Sequence, residues 1–236
     1  MLIYQFVKRK ERFKQFEGET LQYLALEPDG YDSTLSYPMI ILLHGFGASM
    51  RDLAGLCPAI HPEGYIYICP NAPISVEIGN GMSGYAWTPP RDEREDEDLE
   101  LAAEKLSILV EEVTSGYKIE PGRVLLGGFS QGGMMTYRCG LPNPDLYMGL
   151  FILSGVAPEL DLLQEMLPEE RTQPIFIAHG TSDHMVAVTE ARSAHGFLDA
   201  EGYTPMYKEY GMGHEINQDV LDDLVPWILK ALPPAV

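Results

Sequence analysis

Short runs of hydrophobic residues alternate with segments of helical periodicity along most of this chain. Continuous apolar runs bounded by turn residues favour strands that are buried on both faces, whereas apolar residues three and four positions apart favour helices. The pattern predicts strands at residues 2–7, 21–27, 38–43, 65–69, 148–153, 174–178 and 204–210, with one more directly before Ser130, and helices at residues 51–60, 96–116, 188–200 and 217–232.

The order of these elements indicates the fold class. The first two strands are separated by polar sequence and predict an antiparallel start to the sheet, whereas strands and helices alternate in the second half of the chain. That alternation requires crossover connections, which produce a mainly parallel sheet covered by helices on both faces. We therefore predict one α/β domain over residues 1–236. Only about twenty residues separate the strands at 148–153 and 174–178, which is too few for a large cap domain.

The segment 70–91 is predicted as a long loop rich in proline, glycine and asparagine. Loops of this length in compact domains are usually functional or disordered. Met82, Tyr85 and Trp87 are large apolar residues within it, and they need a surface to cover. Trp87 has two interpretations from sequence: it lines a substrate pocket, or it anchors the loop to the domain.

Composition and charge narrow the classes of partner. The chain has 236 residues, 45% of them hydrophobic, which is enough for a full core. Its formal net charge of −19 argues against nucleic acid or an anionic membrane as partner, since both attract basic surfaces. Seven acids between Asp92 and Glu100 contribute to this charge and are most simply a solvated run leading into a helix.

The cysteines and the N-terminal residues indicate the cellular compartment of the protein. Cys57, Cys69 and Cys139 are widely spaced and odd in number, so they predict neither a disulfide framework nor a zinc site. The first residues are apolar and then basic, the reverse of the order in a signal peptide, and no run reaches the length of a membrane span. We expect a cytoplasmic protein without metal or cofactor; a homodimer is left open.

The motif around Ser130 is the strongest chemical signal. The apolar run Val124–Leu126 is followed by Gly-Gly-Phe-Ser-Gln-Gly-Gly, which contains the G-x-S-x-G pattern of a nucleophile elbow at Ser130. In such an elbow a sharp strand-to-helix turn exposes the serine hydroxyl at the edge of the sheet. The alternative is a glycine-rich turn with an ordinary N-cap serine.

A nucleophilic serine needs a base, and the base needs an acid that orients it. Asp183 directly follows the strand at 174–178, and His214 lies in a glycine-flanked loop after the last strand, so both are expected at the same sheet edge as Ser130. The order serine, acid, histidine is the one that this elbow requires. His195 lies in a helical pattern and His184 adjoins the acid, which leaves His214 as the base. The alternatives are a turn aspartate and a helix-capping histidine.

Acyl chemistry also needs donors for the developing oxyanion. The backbone N–H of the residue after the nucleophile is one donor, and the loop after an earlier strand provides another. These positions are Gln131 and Phe46, the latter in His44-Gly45-Phe46-Gly47. Gln131 also begins a predicted helix, whose dipole favours negative charge there. The alternative for the Phe46 segment is a plain tight turn.

With these motifs, the sequence resembles the phospholipase/carboxylesterase family of α/β-hydrolases, which includes bacterial carboxylesterases and acyl-protein thioesterases. The resemblance rests on Leu-Leu-His-Gly-Phe-Gly-Ala, Pro-Asn-Ala-Pro, Gly-Gly-Phe-Ser-Gln-Gly-Gly-Met, His-Gly-Thr-Ser-Asp and Gly-Met-Gly-His-Glu. It implies an α/β-hydrolase fold, the triad Ser130, Asp183 and His214, and an oxyanion hole at Phe46 and Gln131. It also implies that Trp87 and Val186 lie by the acyl pocket.

The sequence thus predicts a serine carboxylesterase that forms an acyl-enzyme and acts on short-chain or soluble small-molecule esters. One alternative is a lysophospholipase, acyl-thioesterase or peptidase that uses the same triad. Another is a non-catalytic binding protein of this fold, for which a missing triad member would be the sign; none is missing.

Overall fold

An eight-stranded sheet runs through the middle of the protein. The computed structural model describes residues 13–79 and 81–235. The strands lie in the order β1-β2-β4-β3-β7-β8-β9-β10, and β5 with β6 forms a separate hairpin. The strands are β1 Phe13–Glu17, β2 Gln22–Leu26, β3 Met39–Leu43, β4 Ile66–Pro70, β5 Ile74–Glu77, β6 Ser83–Ala86, β7 Val124–Phe129, β8 Tyr147–Leu153, β9 Ile175–Gly180 and β10 Met206–Tyr210.

The sheet is mainly parallel, as predicted. The six strands from β4 to β10 in the sheet order all run in one direction, while β2 is antiparallel to β4 and β1 is antiparallel to β2. The carboxyl ends of β3, β7, β9 and β10 therefore meet at one edge. This edge is where ligands bind in open α/β sheets.

Helices cover both faces of the sheet. Successive residues of β3 point to opposite faces: Met39, Ile41 and Leu43 join one core, and Ile40 and Leu42 join the other. Helices α2 to α5 contribute to the first core, and α1 and α6 contribute to the second. The helices are α1 Cys57–Ile60, preceded by a 3₁₀ turn at Leu53–Leu56, then α2 Asp96–Gly116, α3 Gln131–Gly140, α4 Leu160–Met166, α5 Val188–Ala200 and α6 Gln218–Ala231.

The acidic run between residues 92 and 100 begins α2. The Glu95 side chain accepts from the Asp98 backbone N–H, and the Asp98 carboxylate accepts from the Glu95 N–H at 2.9 Å, which completes a capping box. Asp96, Glu97 and Asp98 occupy the first turn, where negative charge opposes the positive end of the helix dipole. The run thus has a structural role at the start of the helix.

The strand predicted at residues 2–7 lies outside the described residues. The antiparallel partner of β2 is β1, which lies in the polar segment where no strand was predicted. The segment 70–91 is not wholly loop, because it contains the β5–β6 hairpin. Between β8 and β9 the only helix in the described structure is the seven-residue α4, so no large cap is inserted there.

Candidate active site

Ser130 lies in a sharp turn between β7 and α3. Its backbone has φ of 55° and ψ of −115°, a conformation that a residue with a side chain seldom adopts. The turn is held from both sides, since the Ser130 N–H donates to Leu153 O at 2.9 Å and the Met134 N–H donates to Ser130 O at 3.1 Å. Such local strain persists only where the surroundings impose it, and it is concentrated at functional sites.

Two glycines make this turn sterically feasible. A Cβ at Gly128 would overlap the backbone of Gly132, and a Cβ at Gly132 would overlap the carbonyl of Leu43 at the end of β3. The start of α3 therefore lies directly against the strand end that leads into the segment of Phe46. The glycine spacing read from the sequence thus reflects close backbone packing.

His214 connects Ser130 to Asp183. Its Nε2 lies 2.9 Å from Ser130 Oγ, and its Nδ1 lies 2.7 Å from Asp183 Oδ2. The side chain of His214 is partly exposed and that of Asp183 is fully buried. The structure thus brings these three sequence-predicted residues into one hydrogen-bonded chain with the order needed for general-base activation of a serine.

The Asp183 carboxylate is held by the chain that follows it. Its Oδ1 accepts from the N–H groups of Met185 and Val186, both at 2.8 Å. Burial raises its pKa, but the Val186 N–H, the His214 side chain and the Met185 N–H lower it, and the net pKa lies below the ordinary value. The carboxylate is therefore ionised and available to orient the imidazole.

Other residues perform the structural roles that the sequence left open. The cap of the last helix is Asn217, whose Oδ1 accepts from the Val220 N–H at 3.1 Å. His214 does not perform that function. Asp183 does form a local turn through Oδ1, but its second oxygen is directed to His214.

His179 is a second histidine at Asp183, one that sequence reasoning did not assign. It is fully buried, and its Nε2 lies 2.9 Å from Val186 O and 3.4 Å from Asp183 Oδ2. It thus supports both the carboxylate and the loop that follows. The His-Gly-Thr-Ser-Asp motif contained it, but no periodic pattern signals such a contact.

The predicted oxyanion donors are Phe46 and Gln131. Within the described part of the chain, neither backbone N–H donates to another protein group. Gln131 is the first residue of α3, where N–H groups lack intrahelical acceptors and the dipole favours an anion. Both donors are thus available, one after β3 and one after β7.

The β5–β6 hairpin fixes the backbone on the far side of Phe46. The Gly47 N–H donates to Tyr85 O at 2.9 Å, and the Tyr85 N–H donates to Ala48 O at 2.8 Å. The turn after β3 is therefore paired like a short strand, which restricts its movement. A plain tight turn would lack this lateral support.

The His44 side chain connects the turn after β3 to the backbone at Ala72. The Ala72 N–H donates to its Nε2 at 3.0 Å, so the proton is on Nδ1, which donates to Gly45 O at 2.7 Å. Burial lowers its pKa to about 4, against the opposing effect of the hydrogen bond to Gly45. His44 is therefore neutral and has a structural role two residues before Phe46.

Trp87 contacts both segments that carry the oxyanion donors. It is fully buried, and its indole Nε1 donates to His44 O at 2.9 Å. Its backbone N–H donates to the side-chain Oε1 of Gln131 at 2.7 Å, while Gln131 Nε2 donates to Thr88 O at 2.9 Å. These contacts favour the interpretation in which Trp87 anchors the loop.

A small cavity opens at Ser130. It has a volume of about 150 Å³ and is lined by Val186 but not by Trp87. Pockets for drug-sized ligands usually measure about 300–1,000 Å³. The enclosed space therefore suits a short acyl group, with longer groups extending into solvent.

Comparison with known proteins identifies the family. Residues 33–232 match the sequence profile of the Phospholipase/Carboxylesterase family. The chain belongs to this family. It is 32% identical over 180 residues to acyl-protein thioesterase 1 of Gibberella zeae, covering 70% of this chain and 75% of that protein. It is 27% identical over 215 residues to the protein of that name from Kluyveromyces lactis, covering 82% and 92%.

A solved esterase structure has the same fold as this chain. The crystal structure of esterase PE8 has 28% sequence identity and a TM-score of 0.77, and the match covers 90% of this chain and all of that one. The α/β-hydrolase fold predicted from the sequence is thus confirmed, and so is the serine ester hydrolase class of this family member.

Two further findings concern the described residues alone. None of their helices combines the length and apolar character needed to cross a bilayer. In the same residues, no group of three or more histidine, cysteine, aspartate and glutamate side chains has the arrangement of a metal site.

Proposed function

We propose that this chain is a carboxylesterase that cleaves short-chain carboxylic esters through an acyl-enzyme at Ser130. The observation that carries the proposal is the continuous contact from Ser130 Oγ to His214 Nε2 and from His214 Nδ1 to Asp183 Oδ2, at 2.9 and 2.7 Å. A structural serine at a helix start has no need for this chain of contacts.

In the first half of the reaction, Ser130 Oγ attacks the ester carbonyl while His214 Nε2 takes its proton. The N–H groups of Phe46 and Gln131 stabilise the oxyanion of the tetrahedral intermediate. Collapse of the intermediate expels the alcohol, which receives the proton from His214. Asp183 holds the imidazole and stabilises its charged form.

In the second half of the reaction, water takes the place of Ser130 as the nucleophile and hydrolyses the acyl-enzyme. His214 takes a proton from water, the hydroxide adds to the acyl carbonyl, and the same two N–H groups stabilise the second oxyanion. The acid leaves as Ser130 recovers its proton. We assign Val186 to the acyl side of the cleft, since it lines the cavity and is positioned by its own N–H to Asp183.

A series of 4-nitrophenyl esters from acetate to palmitate tests the acyl preference. We expect kcat/KM to be highest at two to four carbons, because the enclosed volume is small. A maximum at long chains would contradict the short-chain assignment.

Thioester hydrolysis is the second candidate, because the similar fungal proteins are named acyl-protein thioesterases. An S-palmitoylated cysteine peptide distinguishes the two functions. We expect kcat/KM for this peptide to be lower than for 4-nitrophenyl butyrate, since the cavity does not enclose a long acyl chain. The reverse order would favour the thioesterase.

Three broader predictions accompany the proposal. We retain one domain over residues 1–236, because both cores pack on the same sheet. We retain a cytoplasmic location, for which the free thiols of Cys57, Cys69 and Cys139 give support. A homodimer is tested by light scattering of the purified protein.

A further inference from the structure

Two arginines line the cavity at Ser130, although the protein as a whole is strongly acidic. The formal net charge is −19, yet the charged residues lining the cavity are Arg91, Arg94 and Glu159. Interactions between exposed charges weaken over about 8 Å at physiological salt, so groups in direct contact with a substrate contribute most to its binding. Two guanidinium groups and one carboxylate therefore line the cavity itself, while the seven acids of residues 92–100 are not among the lining residues.

Arg94 is placed close to the nucleophile. It is half-buried, and its Nη1 lies 3.1 Å from the Sδ of Met134. The Met134 N–H donates to Ser130 O, so the methionine that Arg94 contacts lies one helical turn after Ser130. Arg94 and Ser130 also line the same cavity.

The guanidinium groups have no anionic partner within the described protein. No carboxylate lies within 4 Å of Arg91 or Arg94 among residues 13–79 and 81–235. Of the seven acids beside Arg94 in sequence, Glu95 and Asp98 form the capping box of α2, and none of the other five makes an ion pair with either arginine.

A thioether is a poor partner for a partly desolvated cation. Sulfur accepts hydrogen bonds weakly, whereas a guanidinium presents five donors in a planar fork that matches a carboxylate. Arg94 thus has donors to spare at the wall of the cleft. A substrate carboxylate would satisfy them.

We propose that the preferred substrates are esters whose acyl chain ends in a carboxylate, which binds Arg94 with support from Arg91. The inference rests on the proposed esterase function of Ser130. Because the cavity measures about 150 Å³, the carboxylate and the scissile carbonyl must be separated by a short chain. Monoesters of short dicarboxylic acids meet both conditions.

Three ethyl esters of matched length test the charge preference. Monoethyl glutarate carries a terminal carboxylate, ethyl pentanoate carries a methyl group in its place, and ethyl 4-aminobutanoate carries an ammonium group. Ethanol release gives kcat/KM for each, and 4-nitrophenyl butyrate reports esterase activity independently. We expect the glutarate monoester to exceed ethyl pentanoate by about tenfold or more, as for one charge-assisted hydrogen bond.

Variants assign the preference to residues. Arg94→Gln should reduce the ratio of glutarate to pentanoate activity about tenfold, Arg94→Glu should invert the order in favour of the ammonium ester, and Glu159→Gln should raise the ratio. The matched control is Arg138→Gln. Arg138 is on the same helix α3 as Met134 and likewise contacts a methionine sulfur, that of Met166, but it lines a different groove. Its loss should leave the ratio unchanged.

The outcomes separate the two proposals. A wild-type ratio near one, with 4-nitrophenyl butyrate hydrolysed, overturns the carboxylate site and leaves the esterase function intact. A ratio that survives in the Arg91→Gln/Arg94→Gln double variant overturns the assignment to these arginines. Absence of hydrolysis of every ester, 4-nitrophenyl butyrate included, overturns the esterase function itself. Should Arg94→Gln unfold, which circular dichroism will show, Arg94→Lys retains the charge and should keep part of the preference.

Discussion

The indole Nε1 of Trp87 donates a hydrogen bond to the carbonyl oxygen of His44 at 2.9 Å, which ties the segment after the β5–β6 hairpin to the end of β3. The indole is fully buried, and its hydrogen-bond acceptor lies two residues before the oxyanion donor Phe46. We expect its contribution to be structural, and this can be distinguished from substrate binding.

Trp87→Ala should destabilise the protein by about 3–5 kcal/mol, because it leaves a large cavity and an unpaired carbonyl. For a chain of this size each kcal/mol lowers Tm by roughly 2–4 °C. The ranking among 4-nitrophenyl ester chain lengths should stay as in the wild type. Met82→Ala, at a highly exposed position of the same segment, is the control and should change Tm little. A changed ranking with an unchanged Tm would return Trp87 to the substrate pocket.

Ser130→Ala should lower kcat for 4-nitrophenyl butyrate by about three or more powers of ten, as for a triad member. The fold should persist, since the alanine keeps the Cβ and the backbone contacts of the turn. Turnover and circular dichroism of the purified variant check both points. A serine-directed phosphonate should label the wild-type protein at Ser130 alone, and an adduct elsewhere by mass spectrometry would contradict the assignment.

Gln131→Ala should lower kcat by about tenfold, although it leaves the backbone N–H in place. The change removes the side-chain contacts to Trp87 N–H and Thr88 O, so the donor at residue 131 loses its lateral support. Steady-state kinetics with a short ester measures the effect. Gln164→Ala removes an exposed glutamine contact on α4 and should leave kcat unaltered. Equal kinetics for the two variants would refute the supporting role.

The stability of the protein should depend on pH through His44. In the unfolded chain a histidine takes up a proton near pH 6.5, whereas folded His44 does so only near pH 4. Its stabilising contribution is therefore complete above about pH 6.5 and is lost as the pH falls toward 4, with a magnitude on the order of 3 kcal/mol.

Urea unfolding between pH 7.5 and 4.5 measures this loss. His44→Gln should flatten the curve over this window, since glutamine cannot take up the proton. His184→Gln makes the same replacement at an exposed position and should reproduce the wild-type slope. A His44→Gln curve parallel to the wild type would show that His44 does not carry the dependence.

The sequence predicted those features that have a local pattern. Buried strands such as β3 and β7 are continuous apolar runs, and Ser130, Asp183 and His214 each follow a strand end, so fold class and the residues at one sheet edge could be predicted together. By contrast, β1 was missed because four of its five residues are exposed, which leaves no apolar pattern.

The hydrogen bonds that support the site could not be predicted from the sequence, for a different reason. His44 bonds to the Ala72 backbone, and the Gln131 side chain bonds to residues 87 and 88, across distances in sequence that follow no period. Such hydrogen bonds are set by how the loops pack. For the same reason, the burial of Trp87 could not be separated from pocket lining until the loop was placed.

The overlap that any side chain at Gly128 or Gly132 would cause has a consequence for laboratory evolution of new activities. Libraries that randomise these positions will consist almost wholly of misfolded members, because the obstructing atoms are backbone and cannot rotate away. Diversity is better introduced at Val156 and Ala157, which line the cleft without belonging to the turn. The chemistry is thereby confined to a fixed backbone, while the cleft wall around it is free to vary.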